Sequence, residues 1–477
     1  MIYKLRLPLT ILCFSLLFSG CSSSQLTDLF SSYYQQVRDA KHAQQQGNFN
    51  QALKLLPEKS EFDASYNLYL LEQGRLHYLV NQYQKSENAF EHAYQLVQEE
   101  NNKAKIQLSK GVENAKAIMS NDNATRYDVP AYEQSMLHSY QSLNYLYQQN
   151  LSAALVEVRR ANLVQESALN DNKNVLYQYQ QQLLQQGVSE QNWTNNLPSM
   201  DNTIGEIKNG FQNAFTFYLS ALLYEAAGQS NDAYIDYKKA LEIAPENQFI
   251  QHDVWRLANQ LNMLNDITLM KERFSIESLT EANYTSAETG QVVLIFEQGI
   301  VKSKSEYSLN LPIYTSHNDM RFYSVAIPSY ANYLTEYSPA RVSFQEESFY
   351  AQDLVRLQSL AAKQLKEDMP MIVSRQIARL ITKEEIRQQL SRKNGDIGNI
   401  LASLYNIATE HADTRSWSTL PDSISICQFS LPKGQQTLTV NINGIVKEIS
   451  VLVNENRKTL ITMSAIGQNT DYQSINL

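Results

Sequence analysis

Cysteine, glycine and the short motifs of common enzymes are scarce in this chain. Its 477 residues include three cysteines and 15 glycines, and they contain no C-x-x-C pair, glycine-rich phosphate loop, G-x-S-x-G elbow or H-E-x-x-H helix. The seven histidines are scattered, and no two have the spacing of metal ligands on one helix face. The sequence thus predicts no catalytic residue, no metal site and no cofactor, and it argues against an enzyme.

A dense basic run is also missing, and so is an apolar segment long enough to remain in a bilayer. The formal net charge is −9, so nucleic acid is not an expected partner. The apolar stretch Leu7 to Phe18 is too short to cross a membrane comfortably as a permanent helix. It follows Lys4 and Arg6, and a basic end before a short apolar stretch is typical of a signal peptide.

The apolar stretch ends in Ser19-Gly20-Cys21, where small residues precede a cysteine. This resembles the lipobox of bacterial lipoproteins, although Phe18 stands where leucine is more usual. The resemblance implies that residues 1–20 are removed and that Cys21 carries palmitate-like acyl chains, which hold the protein on a membrane. Ser22 stands where an inner-membrane retention signal has aspartate, which implies the periplasmic face of the outer membrane. An ordinary cleaved signal peptide and an N-terminal anchor helix are the alternatives.

Three segments share a pattern with a period of about 34 residues, the length of a tetratricopeptide (TPR) unit. Each such unit is a pair of antiparallel helices, in which small residues at fixed positions let the helices approach. The clearest segment, 215–247, has Gly228 at the turn between its helices and Ala233 and Ala240 at the small positions. The pattern predicts a helical hairpin here.

The other two segments, 68–100 and 136–164, match the pattern less completely, and Gly47 to Ala52 is typical of the turn in a half-repeat. Generic amphipathic helix hairpins are the alternative for these weaker units, and they would also be helical. We therefore predict an all-α, TPR-like domain over residues 21–275.

Stacked helix pairs leave a concave groove that is lined by the first helix of each pair. The predicted lining mixes aromatic and polar side chains, which suits a peptide or a partner helix. By repeat register, the predicted groove residues are Leu71, Arg75, Tyr78, Ser139, Leu143, Tyr147, Tyr218, Leu222 and Glu225.

From about residue 276, apolar and polar residues alternate as they do in strands. Strands are predicted at 290–297, 307–313, 321–327, 423–430, 436–443, 446–453 and 459–465, and helices at 352–366, 371–391 and 396–412. Strands on both sides of a helical block predict a mixed α+β domain over 276–477. Cys427 lies in one predicted strand and has no disulfide partner once Cys13 is removed and Cys21 is acylated, so we expect a small buried hydrophobe.

One loop, 410–422, places an imidazole, opposite charges and a tryptophan between a predicted helix and a predicted strand. Tryptophan and arginine are common in binding hot spots, which favours a partner or ligand site. In the alternative interpretation Asp413 caps the helix and pairs with Arg415, while Trp417 fills the edge of the domain core. The candidate residues are His411, Asp413, Arg415 and Trp417.

Two motifs, 127–162 and 410–424, the latter followed by Leu431-Pro432-Lys433-Gly434, resemble a family of proteobacterial TPR lipoproteins. The resemblance implies an outer-membrane lipoprotein with helical repeats and a C-terminal domain of unassigned activity. Members of the family resemble neighbours of the lipoproteins that activate peptidoglycan synthases. Cell-envelope biogenesis is therefore the implied setting, by association and not by mechanism.

The sequence as a whole predicts an α+β protein with helical repeats first. Its expected function is that of an interaction scaffold in cell-envelope assembly or maintenance. The implied partners are periplasmic or envelope proteins, with the peptidoglycan-synthesis machinery among the candidates, and the membrane itself through the lipid. The alternatives are a ligand-binding or cell-wall-acting C-terminal module, which requires a pocket around Asp413 and Arg415 with a further polar group, and a structural subunit of an envelope complex.

Overall fold

Helices precede strands along the chain. The computed structural model describes residues 33–109, 123, 125–185, 194–274, 288–314, 320–394 and 411–477. Residues 1–20 and Cys21 lie outside these ranges, and so does the predicted boundary between residues 275 and 276. The repeat helices end at Arg273 and the first strand begins at Thr289, which confirms the predicted α+β class.

The helical region consists of antiparallel pairs that pack side by side. The described helices of this region are α1 (Tyr33–Gln45), α2 (Phe49–Leu55), α3 (Tyr66–Leu79), α4 (Tyr83–Ser109), α5 (Ala131–Tyr147), α6 (Leu151–Gln185), the short α7 (Asp201–Ile204), α8 (Ala214–Ala226), α9 (Ser230–Ile243), α10 (Gln248–Gln260) and α11 (Leu264–Arg273). The pairs are α1–α2, α3–α4, α5–α6, α8–α9 and α10–α11. The helical hairpins predicted at 68–100, 136–164 and 215–247 are confirmed, as is the half-repeat turn near residue 47.

The turn inside each pair has the same backbone geometry. A residue with positive φ lies two positions before the second helix, and the five residues are Gly47, Asn81, Gln149, Gly228 and Asn262. In each turn the next N–H bonds a carbonyl five residues earlier; the N–H of Gln82, for example, reaches the His77 carbonyl at 2.9 Å. This bond closes the end of the first helix in the Schellman manner. The pairs are therefore copies of one local unit.

Two larger sheets and one ribbon follow. The strands are β1 (Thr289–Gln298), β2 (Ser305–Tyr314), β3 (Met320–Ser329), β4 (Arg341–Phe344), β5 (Glu347–Tyr350), β6 (Gln352–Arg356), β7 (Ser423–Pro432), β8 (Gly434–Ile442), β9 (Ile445–Val453), β10 (Lys458–Ile466) and β11 (Asn469–Asn476). The central sheet has the order β11-β10-β1-β7-β6, the outer sheet has the order β5-β4-β8-β9, and β2 and β3 form a separate ribbon. Strands β1 and β10 are parallel neighbours, and the other pairings are antiparallel.

The central sheet is the middle layer between the helices and the outer sheet. Successive side chains of a strand point to opposite faces. On β1, Val293 and Ile295 therefore join the core shared with the helices, whereas Val292, Leu294 and Phe296 join the core shared with the outer sheet. Both faces of the central sheet are buried, and one apolar core continues from the helices into the sheet.

Most of the predicted strands are confirmed, but the predicted helices need correction. Residues 352–356, predicted as helix, form strand β6 because they pair with β7. The helices predicted at 352–366 and 371–391 are one helix, α12 (Leu357–Asn394), which continues through Pro370. The buried Met369 and Val373 hold this stretch in the core, which offsets the hydrogen bond that proline cannot donate. Of the helix predicted at 396–412, only residues 411 and 412 are described, and they are not helical.

Cys427 is a free, fully buried thiol in β7, as predicted. Asn443 and Gly444 both have positive φ, as the tight hairpin turn between β8 and β9 requires. Among the described helices, none has the length and apolar character needed to span a bilayer.

Candidate functional site

The predicted groove faces the central sheet of the same chain. Leu71, Arg75, Tyr78, Ser139, Leu143, Tyr218 and Leu222 are buried, and Tyr147 and Glu225 are partly buried. Helices α3, α5 and α8 carry these side chains, as the repeat register predicts. The expectation of an open groove is wrong for this conformation, because the chain's own strands cover the concave face. Whether a partner binds elsewhere remains a prediction.

A buried ion pair lies at the centre of this contact. Arg75 Nη2 is 2.5 Å from Glu297 Oε2, and the two side chains are 0% and 4% exposed. Glu297 also accepts a hydrogen bond from the Tyr140 hydroxyl at 2.8 Å. The rings of Tyr140 and Tyr78 lie 4.3 Å and 5.2 Å from the guanidinium carbon. Burial is the largest single effect and lowers the pKa of the Arg75 guanidinium, but Glu297, Tyr140 and Tyr78 together outweigh it, so the pKa is raised.

Other polar groove residues also bond to the sheet, whereas the Ser139 hydroxyl bonds to Ser135 and Thr216 of neighbouring helical turns. The Tyr147 hydroxyl lies 2.5 Å from the Thr462 hydroxyl of β10, and Lys458 Nζ lies 2.8 Å from Glu225 Oε2. Tyr218 contacts the Gln428 side chain of β7. The sequence contains a signal for this arrangement. Glu297, Gln428 and Thr462 are polar residues within predicted strands whose other residues are mostly apolar.

The candidate loop packs into the same junction through Trp417. This side chain is fully buried and lies against Phe90 and Tyr140, with ring centroids 5.6 Å and 6.2 Å away. The backbone N–H of Trp417 donates to Glu133 Oε1 at 2.9 Å. One carboxyl oxygen of Glu72 accepts from the Ser418 N–H and the other from the Thr419 N–H, at 2.9 and 3.0 Å. The tryptophan therefore lies where the structural interpretation places it.

Burial disfavours the charged form of Glu133 and Glu72, the two glutamates that accept hydrogen bonds from the loop. Burial raises the pKa of Glu133 to about 7, although hydrogen bonds from Trp417, Tyr127 and Tyr132 oppose the shift. Burial likewise raises the pKa of Glu72, against hydrogen bonds from the loop. Their hydrogen bonds to the backbone of residues 417–419 hold the loop in its geometry.

The beginning of the loop lies at an open cleft of about 340 Å³. Asp413 and Arg415 line it as an ion pair, with Oδ2 and Nη2 2.7 Å apart. Arg415 also donates to the carbonyl oxygen of Thr125 at 2.9 Å, so its position is fixed. His411 does not line this cleft; it lies 3.5 Å from Glu306 at the neighbouring surface. The four candidate loop residues thus do not form one site: Trp417 lies in the core, Asp413 and Arg415 line the cleft, and His411 lies at the neighbouring surface.

Further charged groups converge on this cleft from other elements, and sequence reasoning missed them. Asp128 precedes α5, Lys304 precedes β2, and Asp368 and Arg375 project from α12. Among the described residues, Asp128, Lys304 and Arg375 form no ion pair within 4.0 Å. Within the described part of the chain, Asp368 accepts from the Gln364 amide alone, at 3.0 and 3.1 Å. The cleft therefore presents two carboxylates and two cations that are not satisfied by one another.

The carboxyl groups of the cleft differ in their acidity. Burial raises the pKa of Asp368 to about 6, with the nearby Asp128 adding to the shift. Asp128 has an exposed side chain that faces the cleft, and the surrounding protein still raises its pKa by desolvation. Burial would raise the pKa of Asp413 as well, but Arg415 and Lys304 together outweigh it and lower that pKa. The Asp413 carboxyl is therefore more acidic than the free group, whereas the pKa of Asp368 is raised to about 6.

Charged and hydroxyl side chains supply the chemistry of this cleft. The described residues that line it include carboxylates, cations and the hydroxyls of Thr125, Tyr127 and Tyr132, but no cysteine, serine or histidine. No cluster of three or more metal-ligating side chains occurs in the part of the chain that the structure describes. Its chemistry is that of opposite charges held a short distance apart, which suits a ligand carrying both charges.

Comparisons with known proteins add little to this picture. No family model and no curated protein matches the chain. Several solved structures align with about half of it. MamA from Desulfovibrio magneticus RS-1 is 13% identical over 54% of this chain and 99% of its own, with a TM-score of 0.29. TPR-like repeats of a putative kinesin light chain from Podosopora anserina are 14% identical over 52% and 95%, with a TM-score of 0.27. PilW, a type IV pilus biogenesis factor, is 13% identical over 52% and 94%, with a TM-score of 0.22. Likeness at these TM-scores carries no argument about function.

Proposed function

We propose that this protein acts by binding and not by catalysis, and that its binding site is the charged cleft between α5, α12 and the 411–415 segment. The carrying observation is a set of charged groups in that cleft: the carboxylates of Asp128 and Asp368 and the cations of Lys304 and Arg375. Within the described residues none of the four has an opposite charge at ion-pair distance, although the Lys304 ammonium donates a hydrogen bond to the Arg415 carbonyl at 2.9 Å. Charges that a fold leaves without a counter-charge in a concave site are candidates for ligand recognition.

The expected ligand carries an ammonium and a carboxylate, as an amino acid or the end of a peptide does. An ammonium would pair with Asp368 or Asp128, and a carboxylate with Arg375 or Lys304. The first turn of α5 also lines the cleft, and the positive end of a helix dipole favours the anionic part. A volume of about 340 Å³ lies at the small end of ligand pockets, so the charged group and a short extension would fit.

The helical array has a different task in this proposal. Its concave face holds the central sheet, and the sheet in turn positions the loop that carries Asp413 and Arg415. The helical array therefore supports the residues that form the cleft, and it does not itself serve as a peptide-binding groove. This accounts for the buried ionic contacts between groove and sheet, such as Arg75 with Glu297.

Titration calorimetry tests the ligand class. Short zwitterionic peptides should bind, whereas their N-acetylated and C-amidated forms should bind at least tenfold more weakly, because each lost charged hydrogen bond costs about 1.5–3 kcal/mol. Asp368→Asn and Arg375→Gln should each weaken binding by a similar factor. Asp353→Asn, at an exposed position outside the cleft, is the matched control. Equal affinity for the blocked and unblocked peptides would contradict the proposal.

The binding site is proposed to work at the periplasmic face of the outer membrane, with acyl chains on Cys21 as the tether. The support is the sequence alone: a basic end, a short apolar stretch and small residues before Cys21. Cys21→Ser should release the protein from the membrane fraction into the soluble periplasm. Continued pelleting of the variant with membranes would argue for another means of attachment.

An interaction scaffold for envelope proteins is a second candidate function, with the peptidoglycan-synthesis machinery among the possible partners. The concave face is covered, so a partner would have to contact another surface. Helix α6 exposes apolar side chains at Leu163, Leu169, Tyr177 and Leu184. Crosslinking in intact cells should capture a partner that Leu163→Glu loses. Identical crosslinks in the variant would remove this surface from consideration.

A further inference from the structure

A second, more open cleft lies beside the N-terminal helix. It has a volume of about 750 Å³ and is formed by α1, the 302–306 segment and part of the 411–414 segment. Four basic side chains line it, and the carboxylate in the lining is Glu306. The basic residues are Arg38, Lys41, Lys302 and Lys304. This local excess of positive charge contrasts with the net charge of −9 for the chain.

The basic side chains are held in place by the fold. Lys41 is buried, and its ammonium donates to the Val301 carbonyl at 2.6 Å and to the Ser303 hydroxyl at 2.9 Å. This fixes the segment that carries Lys302 against α1. Burial lowers the pKa of Lys41 to about 8, so the ammonium remains mostly charged at pH 7. Among the residues that the structure describes, Arg38 pairs with its neighbour Asp39 alone. Both side chains are largely exposed, so this pair neutralises little of the positive charge.

Aromatic rings flank the basic residues. Lys302 Nζ lies 3.6 Å from the ring centroid of Tyr333, and that ring is 62% exposed. Tyr34 on α1 is also exposed and lines the cleft. Lysine and tyrosine side chains with apolar bodies and polar tips favour the boundary between water and lipid headgroups.

The position of the cleft along the chain suggests its occupant. Helix α1 begins at Tyr33, twelve residues after Cys21. A chain of that length spans at most about 40 Å when fully extended. If acyl chains hold Cys21 in a bilayer, the basic cleft is therefore within one tether length of the headgroups.

We propose that the face of this cleft formed by Arg38 and Lys302 is a docking surface for the anionic phosphate headgroups of the membrane that holds the tether. The surface rests on the proposed tether for its setting, and it would orient the molecule on the bilayer. The buried Lys41 fixes the segment that carries Lys302, and the Lys304 ammonium donates to the Arg415 carbonyl at 2.9 Å. The heads of Arg38 and Lys302 would therefore match the phosphate oxygens, while Tyr34 and Tyr333 reach the headgroup level. Attraction of this kind is electrostatic and weakens with salt.

Vesicle flotation with the unlipidated Cys21→Ser protein tests the surface separately from the tether. The protein should float with phosphatidylglycerol-containing vesicles at low ionic strength and should not float with pure phosphatidylcholine. Removing two basic residues by Arg38→Gln and Lys302→Gln should weaken binding roughly 25-fold, since each basic residue near an anionic surface contributes about fivefold. The matched control, Lys85→Gln with Arg457→Gln, removes two exposed cations outside the cleft and should change binding less than twofold.

The possible outcomes separate the two ideas. If vesicles do not bind, or if the control pair weakens binding as much as the cleft pair, the docking surface is wrong even where Cys21→Ser releases the protein in cells. If millimolar glycerol phosphate abolishes flotation at constant ionic strength, the cleft is a site for a soluble phosphate compound and the membrane proposal is overturned. Flotation that depends on the cleft residues supports it, whatever the fate of Cys21.

Discussion

Neutralising Glu297 should loosen the hold of the helices on the central sheet. Its carboxylate is the counter-charge of Arg75, with 2.5 Å between Oε2 and Nη2 and both side chains excluded from water. It also accepts hydrogen bonds from the Tyr140 and Ser464 hydroxyls. Glu297→Gln keeps the size of the side chain and one acceptor oxygen, but it leaves the guanidinium charge buried without a counter-charge.

The magnitude follows from the burial. Removing one partner of a buried ion pair costs about 3–5 kcal/mol. The rings of Tyr140 and Tyr78 lie close to the guanidinium and can stabilise a lone cation by about 0.5–2 kcal/mol. We therefore expect Glu297→Gln to lower the free energy of unfolding by about 3 kcal/mol. The double variant Arg75→Met with Glu297→Gln removes both charges and should cost about 2 kcal/mol less than the sum of the single variants.

Urea unfolding of the unlipidated Cys21→Ser protein, followed by tryptophan fluorescence and by circular dichroism, measures these differences. Glu288→Gln is the control, because Glu288 is a largely exposed carboxylate beside β1, and its loss should change the free energy of unfolding by less than about 0.5 kcal/mol. If the costs of the two single variants simply add in the double variant, Arg75 and Glu297 are not energetically coupled. The inference that this ion pair closes the concave face would then be refuted.

Buried groups elsewhere lead to three further expectations. The pKa of Glu133 is about 7 in the folded state, compared with 4.5 for the free group. The contribution of protonated Glu133 to the free energy of unfolding is therefore fully present below pH 4.5 and is lost as the pH rises through 7. Glu133→Gln should flatten that part of the pH–stability curve, and an unchanged slope would contradict the assignment. Burial raises the pKa of the Cys427 thiol to about 12. In the Cys21→Ser protein this thiol should therefore not react with Ellman's reagent at pH 8 until urea unfolds the chain. Rapid labelling of the native protein would show instead that β7 is accessible to solvent. Gly467→Ala should lower the free energy of unfolding, measured by calorimetry, by about 1–3 kcal/mol more than Gly444→Ala does. Both glycines have positive φ, but at Gly467 the added Cβ would lie 2.4 Å from the Gln45 carbonyl oxygen, whereas at Gly444 it would meet nothing within 4 Å. Equal costs would show that the turn after α1 and the turn between β10 and β11 do not touch.

Several features of the site were recognisable in the sequence, and others were not. The 410–422 loop stood out because it combines Trp417 with Asp413 and Arg415, and the structure places all three at the junction of helices and sheet. Asp128 and Asp368 gave no such signal. They are 240 positions apart, and each has the appearance of an ordinary surface carboxylate until the fold brings both to one cleft.

The secondary structure was predictable where it depends on neighbours along the chain. The helix pairs follow from small residues at fixed spacing and from turn residues such as Gly228, which are local effects. Strand β6 and the continuous helix through Pro370 were mispredicted, because pairing with β7 and burial in the core override local preference there. The local residue pattern therefore predicts the helix pairs, whereas tertiary contacts determine strand β6 and the continuous helix α12.

The sequence by itself determined that helix pairs come first, that strands follow, and which residues line the concave face. Only the tertiary structure decided what that face contacts. Arg75 and Glu297 are 222 positions apart, and a mixed aromatic and polar surface has the same periodicity whether it meets a foreign peptide or the chain's own sheet. Burial against a distant segment is a property of three-dimensional packing, and no local pattern of residues specifies it.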